Sequence, residues 1–357
     1  MIKRSIIGIL LILLAATVLS CKYESDQNVN AADYGVLPAN SPEDNSKNLQ
    51  ALIDLLAASG GTVYIPAGEY LFAQNGTQTI GSHCIKMRSN VSVVGAGDET
   101  VLMPVGDSQY GMDMFYFNDY LDIGEANYLE NCRFEHFVID ASNTSCKTYT
   151  SAGKGFMFNL FRNCHWNGVT VRYTDATGFG VDCPINSTMT RCTAIGCGKA
   201  ATTEDGGASG FGIGFGYCDH ESISIKDCYA LDNRKFGFFF EHQGRFDSGK
   251  YTARSASGFL VNQCTAQGNL FNFGGIDAFC GTYVRCLSKE ALDCGFYFQD
   301  CTEFELHGCT LLQSGIDDIR MIGAPGKFVL TENQADRNRV RLGELSVGSI
   351  NSGNSWN

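Results

Sequence analysis

The chain has 357 residues and a formal net charge of −12, because 38 acidic side chains outnumber 26 basic ones. A nucleic-acid-binding protein needs a basic footprint, so this balance argues against a nucleic-acid partner. It is also unfavourable for a polyanionic substrate unless a local basic patch or a bound cation offsets the field. An aromatic content of 11% and 41 glycines against 6 prolines indicate a folded chain rather than a disordered one.

The N-terminus is typical of an export signal. A basic start is followed by an apolar run and by small residues before Cys21, and the run is too short for a membrane-spanning helix. The segment VLSC, which ends at Cys21, resembles a bacterial lipobox, in which the cysteine is lipidated. We therefore expect a signal peptide over 1–21, a polar tether over 22–30, and a lipid anchor at Cys21 in the outer membrane or cell surface as the only membrane contact. An ordinary signal peptide with a chance cysteine is the alternative.

A helix is predicted after residue 41. Ser41 is a suitable N-cap, Pro42 suits the first helical position, and Gly60 would end the helix. One face of this segment is apolar and consists of Leu49, Leu52, Ile53 and Leu56. Such a helix must cover an apolar surface, and the repeats that follow it would supply one.

Seven cysteines mark a repeat. Each follows one or two polar residues, and neighbouring members are 22 to 36 residues apart: Cys132, Cys164, Cys192, Cys228, Cys264, Cys286 and Cys309. A repeat of this length built from short strands is typical of a β-solenoid, in which equivalent side chains stack about 4.8 Å apart. Cysteine packs as a small hydrophobe, so we expect buried thiols rather than disulfides. The same is expected of a second column, at Cys183, Cys218, Cys280 and Cys301.

Four segments early in the chain carry a family signature. They are ADYG at 32–35, NLQALID in the predicted helix, GGTVYIPAGEYLF at 60–72 and IKMRSNVSVVGAGDETVL at 85–102. They resemble the opening of the pectate-lyase-like superfamily. The resemblance implies an all-β fold, a single-stranded right-handed parallel β-helix that acts on polysaccharides. We expect this β-helix with its N-terminal capping helix over 31–335, and a C-terminal coil or tail over 336–357. The reaction is not implied, because lyases, inverting hydrolases and epimerases share the fold.

The run TGFGVDCPIN at 177–186 carries a narrower resemblance. It is similar to the mannuronan C5-epimerase branch of the superfamily, in which a run like Tyr-Gly-Phe-Asp-Pro-His supplies the catalytic groups. Asp182 matches the Asp of that run, whereas Phe179 falls on the Tyr position and Pro184 on the His position. Neither Phe nor Pro transfers a proton, so the resemblance implies a catalytic role for Asp182 alone.

Polar side chains follow the Gly-aromatic strands of successive coils. If the coils are in register, they form an acidic strip along one outer face, at Asp182, Asp219, His220, Glu241, His242, Gln243, Asp277 and Asp300. Asp182, Glu241 and His242 are the predicted catalytic residues, and Asp219 is a predicted ligand for a calcium ion. The predicted substrate-binding residues are Tyr217, Lys235, Gln243, Arg245, Asp277 and Asp300. Each could instead be a structural turn residue, and 219–221 could be a solvated turn. The Gly-rich loop at 202–210 is expected to form a wall of the groove, with a plain surface loop as the alternative.

Three functions fit this pattern. A uronate lyase or C5-epimerase would remove the C5 proton with a base, which could be His242, Lys235 or Arg245. Asp182 and Glu241 would then hold calcium or share a proton with the substrate carboxylate. An inverting hydrolase instead needs two carboxyls roughly 6.5–9.5 Å apart, and these two carboxylates would extend from backbones about 9.6 Å apart. The third function is a glycan-binding lipoprotein without activity.

Overall fold

The computed structural model describes residues 28–75, 82–117, 128–243, 257–323, 326–343 and 345–356. Cys21, Arg245 and the predicted signal peptide lie outside these ranges. The described chain is a parallel β-helix, in which successive coils add a strand to a front sheet and to each of two ladders of a second sheet. No helix in the described ranges has both the length and the hydropathy of a membrane span.

The front sheet carries the candidate site. Its strands pair in parallel, coil upon coil. In chain order they are His83–Lys86, Asp113–Phe117, Leu129–Glu130, Phe156–Arg162, Phe179–Ile185, Phe211–Phe215, Phe236–His242, Phe271–Ile276, Cys294–Gln299, Asp317–Ile322 and Val340–Arg341.

The second sheet consists of two parallel ladders, which share the long strands Arg133–Asp140 and His165–Arg172. The other strands of the first ladder are Asn28–Asn30, Gly61–Ile65, Val91–Gly95, Ser187–Thr190, Ser222–Lys226, Gly258–Asn262, Phe279–Val284, Thr302–His307, Phe328–Thr331 and Ile350–Ser352. Those of the second ladder are Gly68–Phe72, Thr100–Pro104, Thr193–Ile195, Tyr229–Leu231, Thr265–Gln267, Leu287–Lys289, Thr310–Leu312, Gln334–Ala335 and Ser355–Trp356. A separate pair joins Gly106–Ser108 to Thr144–Cys146.

Phenylalanine rings stack through the interior behind the front sheet. Phe179 lies 4.7 Å from Phe211, which lies 4.6 Å from Phe238, and these rings are within 4° of parallel. The stack continues to Phe273 at 5.1 Å and then to Phe296 at 4.8 Å. These spacings match the strand separation of about 4.8 Å, because one ring comes from the same position of each coil. The interior therefore fixes the register that aligns the outward-facing side chains.

The cysteine ladder is confirmed. All seven repeat cysteines are buried, and every cysteine in the described ranges is a free thiol. The thiols also accept backbone bonds, since the N–H of Cys192 donates to Cys228 Sγ (3.3 Å) and that of Cys228 to Cys264 Sγ (3.4 Å). The expected second column is wrong as a column. Cys280 lies beside Glu303 in the strand register and donates to its Oε2 (3.0 Å), and it is only half-buried.

The predicted helix is present at Pro42–Leu56. Ser41 Oγ accepts the N–H of Asp44 (3.2 Å) at its start, and the four predicted apolar side chains are buried. The helix packs against Gly68–Phe72, and Ser46 Oγ donates to the Ala73 carbonyl (2.7 Å). A 3-10 turn, Ala31–Tyr34, precedes it. The capping role of the helix, the hand of the coils and the domain boundaries stay predictions.

Candidate functional site

A groove with a volume of about 320 Å³ opens on the front sheet. Its floor includes glycines at outward positions of two neighbouring strands, Gly180 on one and Gly212 on the next. Residues of the flanking strands and loops form the walls. The lining residues that carry side chains are Ser151, Lys154, Thr177, Asp182, Ser209, Lys235, Phe236, Phe239, Glu241, Gln243 and Ile276.

Asp182 and Glu241 lie on opposite sides of Gly214. The parallel register pairs Asp182 with Gly214 and Gly214 with Glu241, so both carboxylates extend from equivalent positions two coils apart. Two strand intervals correspond to about 9.6 Å between backbones. The register expected from the Gly-aromatic pattern is therefore confirmed for this pair, and both residues line the groove.

Gln243 lies between the two carboxylates. Its side-chain amide donates to Glu241 Oε1 (2.5 Å), while the N–H of Gly214 donates to Asp182 Oδ1 (2.9 Å). A Cβ on residue 214 would lie 2.6 Å from Asp182 Oδ1 and 2.8 Å from Gln243 Nε2. Asp182 Oδ1 and Gln243 Nε2 both lie close to this Cβ position, and Gln243 Nε2 is hydrogen-bonded to Glu241 Oε1. The distance between Asp182 Oδ1 and Glu241 Oε1 is therefore at most about 8 Å, which is close enough for both carboxyls to act on one glycosidic bond.

Lys154 is a groove residue that the sequence does not single out. Its side chain lies across the floor, since its Cε and Nζ would be 3.0 and 3.1 Å from a Cβ on Gly180, and the residue is only 9% exposed. Its Nζ lies 3.3 Å from Met157 Sδ. The buried Asp113 carboxylate accepts the backbone N–H groups of residues 153 (3.0 Å) and 154 (2.7 Å). These contacts hold a cationic side chain beside Gly180, two residues before Asp182.

The loop at 202–210 forms one wall of the groove, as expected. Three of its residues line the cavity. Lys235 Nζ donates to the carbonyl oxygens of Glu204 (3.4 Å) and Asp205 (3.0 Å). The Tyr149 hydroxyl donates to glycine carbonyls of the same loop. Lys235, a predicted substrate-binding residue, therefore lines the groove and also anchors its wall.

The Phe–Gly run at 236–240 is divided between the interior and the groove. Phe238 and Phe240 are fully buried in the core. Phe239 points outward because side chains alternate along a strand, and Phe236, at the start of the strand, lies 4.6 Å from it. Both rings line the groove. Phe236 is itself only 2% exposed, whereas Phe239 is half-buried and lies on the outer face of the sheet.

His242 is directed away from the groove. It follows Glu241 directly in the strand, so its side chain leaves the opposite side. Its Nδ1 lies 3.7 Å from Asp277 Oδ2, and its ring lies 5.7 Å from that of Phe279. His242 is not among the groove-lining residues, and its catalytic role stays a prediction.

The expected acidic strip does not continue past Glu241. The strand positions equivalent to Glu241 on the next two coils hold Ile276 and Gln299. Asp277 and Asp300 come one residue later, in turns with φ of 50° and 52°. Asp residues tolerate this left-handed conformation in turns. Both carboxylates lie outside the set that lines the groove, and their substrate-binding role stays a prediction.

Tyr217 and Asp219 belong to a turn that Glu221 holds. The Glu221 carboxylate accepts the N–H groups of Gly216 (2.6 Å), Tyr217 (2.9 Å) and Cys218 (3.1 Å). Glu221 is fully buried, and burial raises its pKa to about 7. The alternative of a solvated turn is therefore wrong for Glu221. Tyr217 packs in a small cluster outside the main core, and neither it nor Asp219 lines the groove.

Sequence comparison finds one group of relatives. No family model matches the chain. Over 78 residues, 21% of this chain, it is 44% identical to the mannuronan C5-epimerase AlgE1 of Azotobacter vinelandii. Over 75 residues, 20% of the chain, it is 44% identical to AlgE2 of the same organism. The matched parts amount to 5% and 7% of those relatives' own lengths.

Comparison with solved structures gives matches that cover most of the chain. The A. vinelandii AlgE6 A-module has a TM-score of 0.60 and 16% identity, and the match covers 92% of this chain and 99% of the module. The AlgE4 A-module has a TM-score of 0.58 and 19% identity, covering 86% and 87%. This chain is a parallel β-helix protein similar to mannuronan C5-epimerases. A tailspike mutant of E. coli bacteriophage HK620 in complex with a pentasaccharide shares the fold, with a TM-score of 0.59, 16% identity and coverage of 88% and 58%.

The epimerase-like run contributes one side chain to the groove. Asp182 lines it, as described above. Phe179, at the Tyr position, is fully buried in the stack of interior rings. Pro184, at the His position, is buried in the strand and pairs with Phe161. The likeness to mannuronan C5-epimerases therefore does not extend to a Tyr–His pair at these positions.

The groove does not have the ligand set of a calcium site. Within the described ranges, no group of three or more His, Cys, Asp or Glu side chains is placed to hold a metal ion. Calcium prefers six to eight oxygen ligands, and the groove offers two carboxylates with a lysine nearby. The chemistry proposed for the groove therefore uses its own side chains, and activity is to be measured both with calcium and with a chelator.

Proposed function

We propose that the groove binds and processes an extracellular polysaccharide that contains uronate residues. The similarity to mannuronan C5-epimerases supports a uronate substrate, and the same fold is found in a tailspike that was solved with a pentasaccharide. Lys154 and Lys235 offset the two carboxylates of the groove, which an acidic substrate needs in a chain of net charge −12. Export and lipid anchoring at Cys21 are part of the proposal.

The groove geometry supports hydrolysis of a glycosidic bond best. The observation that carries this conclusion is the placement of Asp182 and Glu241 at equivalent positions on either side of Gly214. In the protonated state, one carboxyl would donate its proton to the glycosidic oxygen as the bond breaks. The other, as a carboxylate, would take a proton from a water that attacks the anomeric carbon from the opposite face. This path inverts the anomeric configuration.

Two other groove residues support this reaction. The Gln243 amide donates to Glu241 Oε1 and fixes the position of that carboxylate. The Lys154 ammonium lies on the same face as Asp182, beside the glycine floor. It would bind the carboxylate of a uronate ring by charge, which places the neighbouring bond over the two acids.

Chemistry at C5 is the second candidate, and the sequence match with mannuronan C5-epimerases favours it. A base would remove the C5 proton. In a lyase, the electrons form a C4–C5 double bond, the C4–O bond breaks and the leaving oxygen takes a proton. In an epimerase, a proton returns to C5 from the other face. Asp182 is a groove group that could accept the proton, but Phe179 and Pro184 cannot, so the groove favours hydrolysis.

Product masses test the proposal. The protein is incubated with polyuronates and neutral glycans, in calcium or in chelator. Hydrolysis yields fragments that together contain one added water, and lyase fragments are one water lighter. Epimerisation leaves the mass unchanged and alters the C5 NMR signals. Glu241→Gln should abolish turnover and retain binding, whereas Glu99→Gln, at an exposed turn residue, should keep both. If no glycan is converted under any condition, the enzyme proposal fails, and a glycan that still binds would support the binding-protein alternative.

A further inference from the structure

A strip of aromatic rings continues from the groove wall across the next coils of the front sheet. Phe239 and Phe236, which line the groove, lie 4.6 Å apart. Phe271 is 4.9 Å from Phe236, and Tyr297 stacks on Phe271 at 4.5 Å with an interplanar angle of 24°. We call these four residues the aromatic strip. Phe239, Phe271 and Tyr297 are half-buried, so part of each ring faces solvent.

The strip runs in line with the floor of the groove. The strand register aligns Gly212 with Phe239, Phe239 with Gly274, and Gly274 with Tyr297. These residues therefore share one outward-facing row, and Tyr297 lies about 9.6 Å beyond Phe239 along the helix axis. Gly274 has no side chain between the two rings, and a Cβ there would lie 3.0 Å from Phe236. The row therefore forms a continuous apolar surface that extends from the groove.

The far end of the strip is held rigid by charged groups. The Arg320 guanidinium lies 5.9 Å from the centre of the Tyr297 ring. Arg320 is itself bound to Asp293 (2.7 Å) and Asp317 (2.6 Å). The Tyr297 hydroxyl donates to Gln299 Oε1 (3.0 Å). Because its charge is already paired, Arg320 orients the ring and does not add selectivity for an anion.

We propose that the aromatic strip is a second glycan-binding site, which takes further pyranose rings of the chain whose reacting bond lies at Asp182 and Glu241. This inference rests on the proposed function of the groove. The apolar face of a pyranose ring matches a flat aromatic surface, and its burial releases water from both. The continuity of the strip with the groove floor gives one glycan chain a straight path over both sites. The strip recognises the ring faces, whereas Lys154 recognises the uronate charge.

Binding as a function of chain length tests the strip. Calorimetry is done on Glu241→Gln, so that no ligand is consumed, with mannuronan and cello-oligosaccharides from dimer to octamer. Tyr297→Ala should weaken octamer binding about tenfold, the order of one aromatic contact, and leave dimer binding unchanged. Tyr297→Phe keeps the ring and should restore octamer binding. The matched control is Tyr229→Ala, which removes a tyrosine that is 48% exposed on the second sheet and should change nothing.

The outcomes separate the strip from the groove. If octamer binding depends on Tyr297 but the wild-type protein converts no glycan, the strip is supported and the proposed function is overturned. Turnover with equal octamer binding by Tyr297→Ala and Tyr229→Ala would overturn the strip and leave the groove intact, and the rings would then only stabilise the coils. Failure of both oligosaccharide series to bind would overturn the strip as a glycan site.

Discussion

Adding one methyl group at Gly214 should disable the groove without unfolding the protein. The Cβ of Gly214→Ala would lie 2.6 Å from Asp182 Oδ1 and 2.8 Å from Gln243 Nε2. An ordinary contact is about 3.5–4 Å, so these atoms must move by about 1 Å. A displacement of that size can lower turnover about 100-fold. Overpacking of this kind costs about 1–3 kcal/mol of unfolding free energy.

The assay pairs turnover with thermal unfolding. Gly206→Ala is the matched control, because Gly206 lines the groove and a Cβ there meets nothing within 4 Å. The control should keep both turnover and unfolding temperature. Gly214→Ala should remain folded, with a lower unfolding temperature and a much larger loss of turnover than of binding. Equal turnover in the two variants would refute the assignment of Asp182, Glu241 and Gln243 as a working unit.

Three further results are expected. Lys235→Met removes the hydrogen bonds to the carbonyl oxygens of residues 204 and 205. Limited proteolysis should therefore cut the loop at 202–210 faster, and KM should rise. An unchanged rate of cleavage would contradict the anchoring role. Burial raises the pKa of Glu221 to about 7 and of Asp113 to about 6. The unfolded chain therefore releases these protons first, and the unfolding free energy should fall as pH rises from about 4 to 7. Glu221 should account for about 3 kcal/mol of this decrease in unfolding free energy, and its contribution should vanish in Glu221→Gln. An unfolding free energy of the wild type that does not change with pH would contradict this prediction. Thiol alkylation of the native protein, followed by mass spectrometry, should leave the seven ladder cysteines unmodified, because they are buried, until denaturant is added.

The sequence predicts the fold and the pairing of the two acids because both depend on repetition. Equivalent residues recur once per coil, so the Gly-aromatic runs could be aligned without coordinates. That alignment predicts that Asp182 and Glu241 lie two coils apart, and the strand register confirms it. The cysteine ladder follows from the same periodicity. Features that occur in every coil can therefore be predicted from a single sequence.

The rest of the site depends on direction and burial, which a repeat does not encode. Lys154 precedes a strand in an unremarkable segment, and only the glycine floor beside it makes it a groove residue. Glu221 looks like a solvated acid until the turn closes around its carboxylate. The outward position of Phe239 and the inward one of His242 follow from strand alternation. Once Glu241 is assigned to the groove, this alternation predicts both orientations from the sequence.

A double-mutant cycle on turnover tests most directly whether the two acids act together on one bond. Turnover of the responsive glycan is measured for Asp182→Asn, Glu241→Gln and the double variant, with Asp98→Asn, at an exposed turn residue, as the control. If the pair acts as a unit, each single variant should lose nearly all turnover, and the double variant should lose little more. The control should match the wild type, and all variants should still bind glycan. Full turnover in either single variant, or losses that multiply independently in the double variant, would contradict the account.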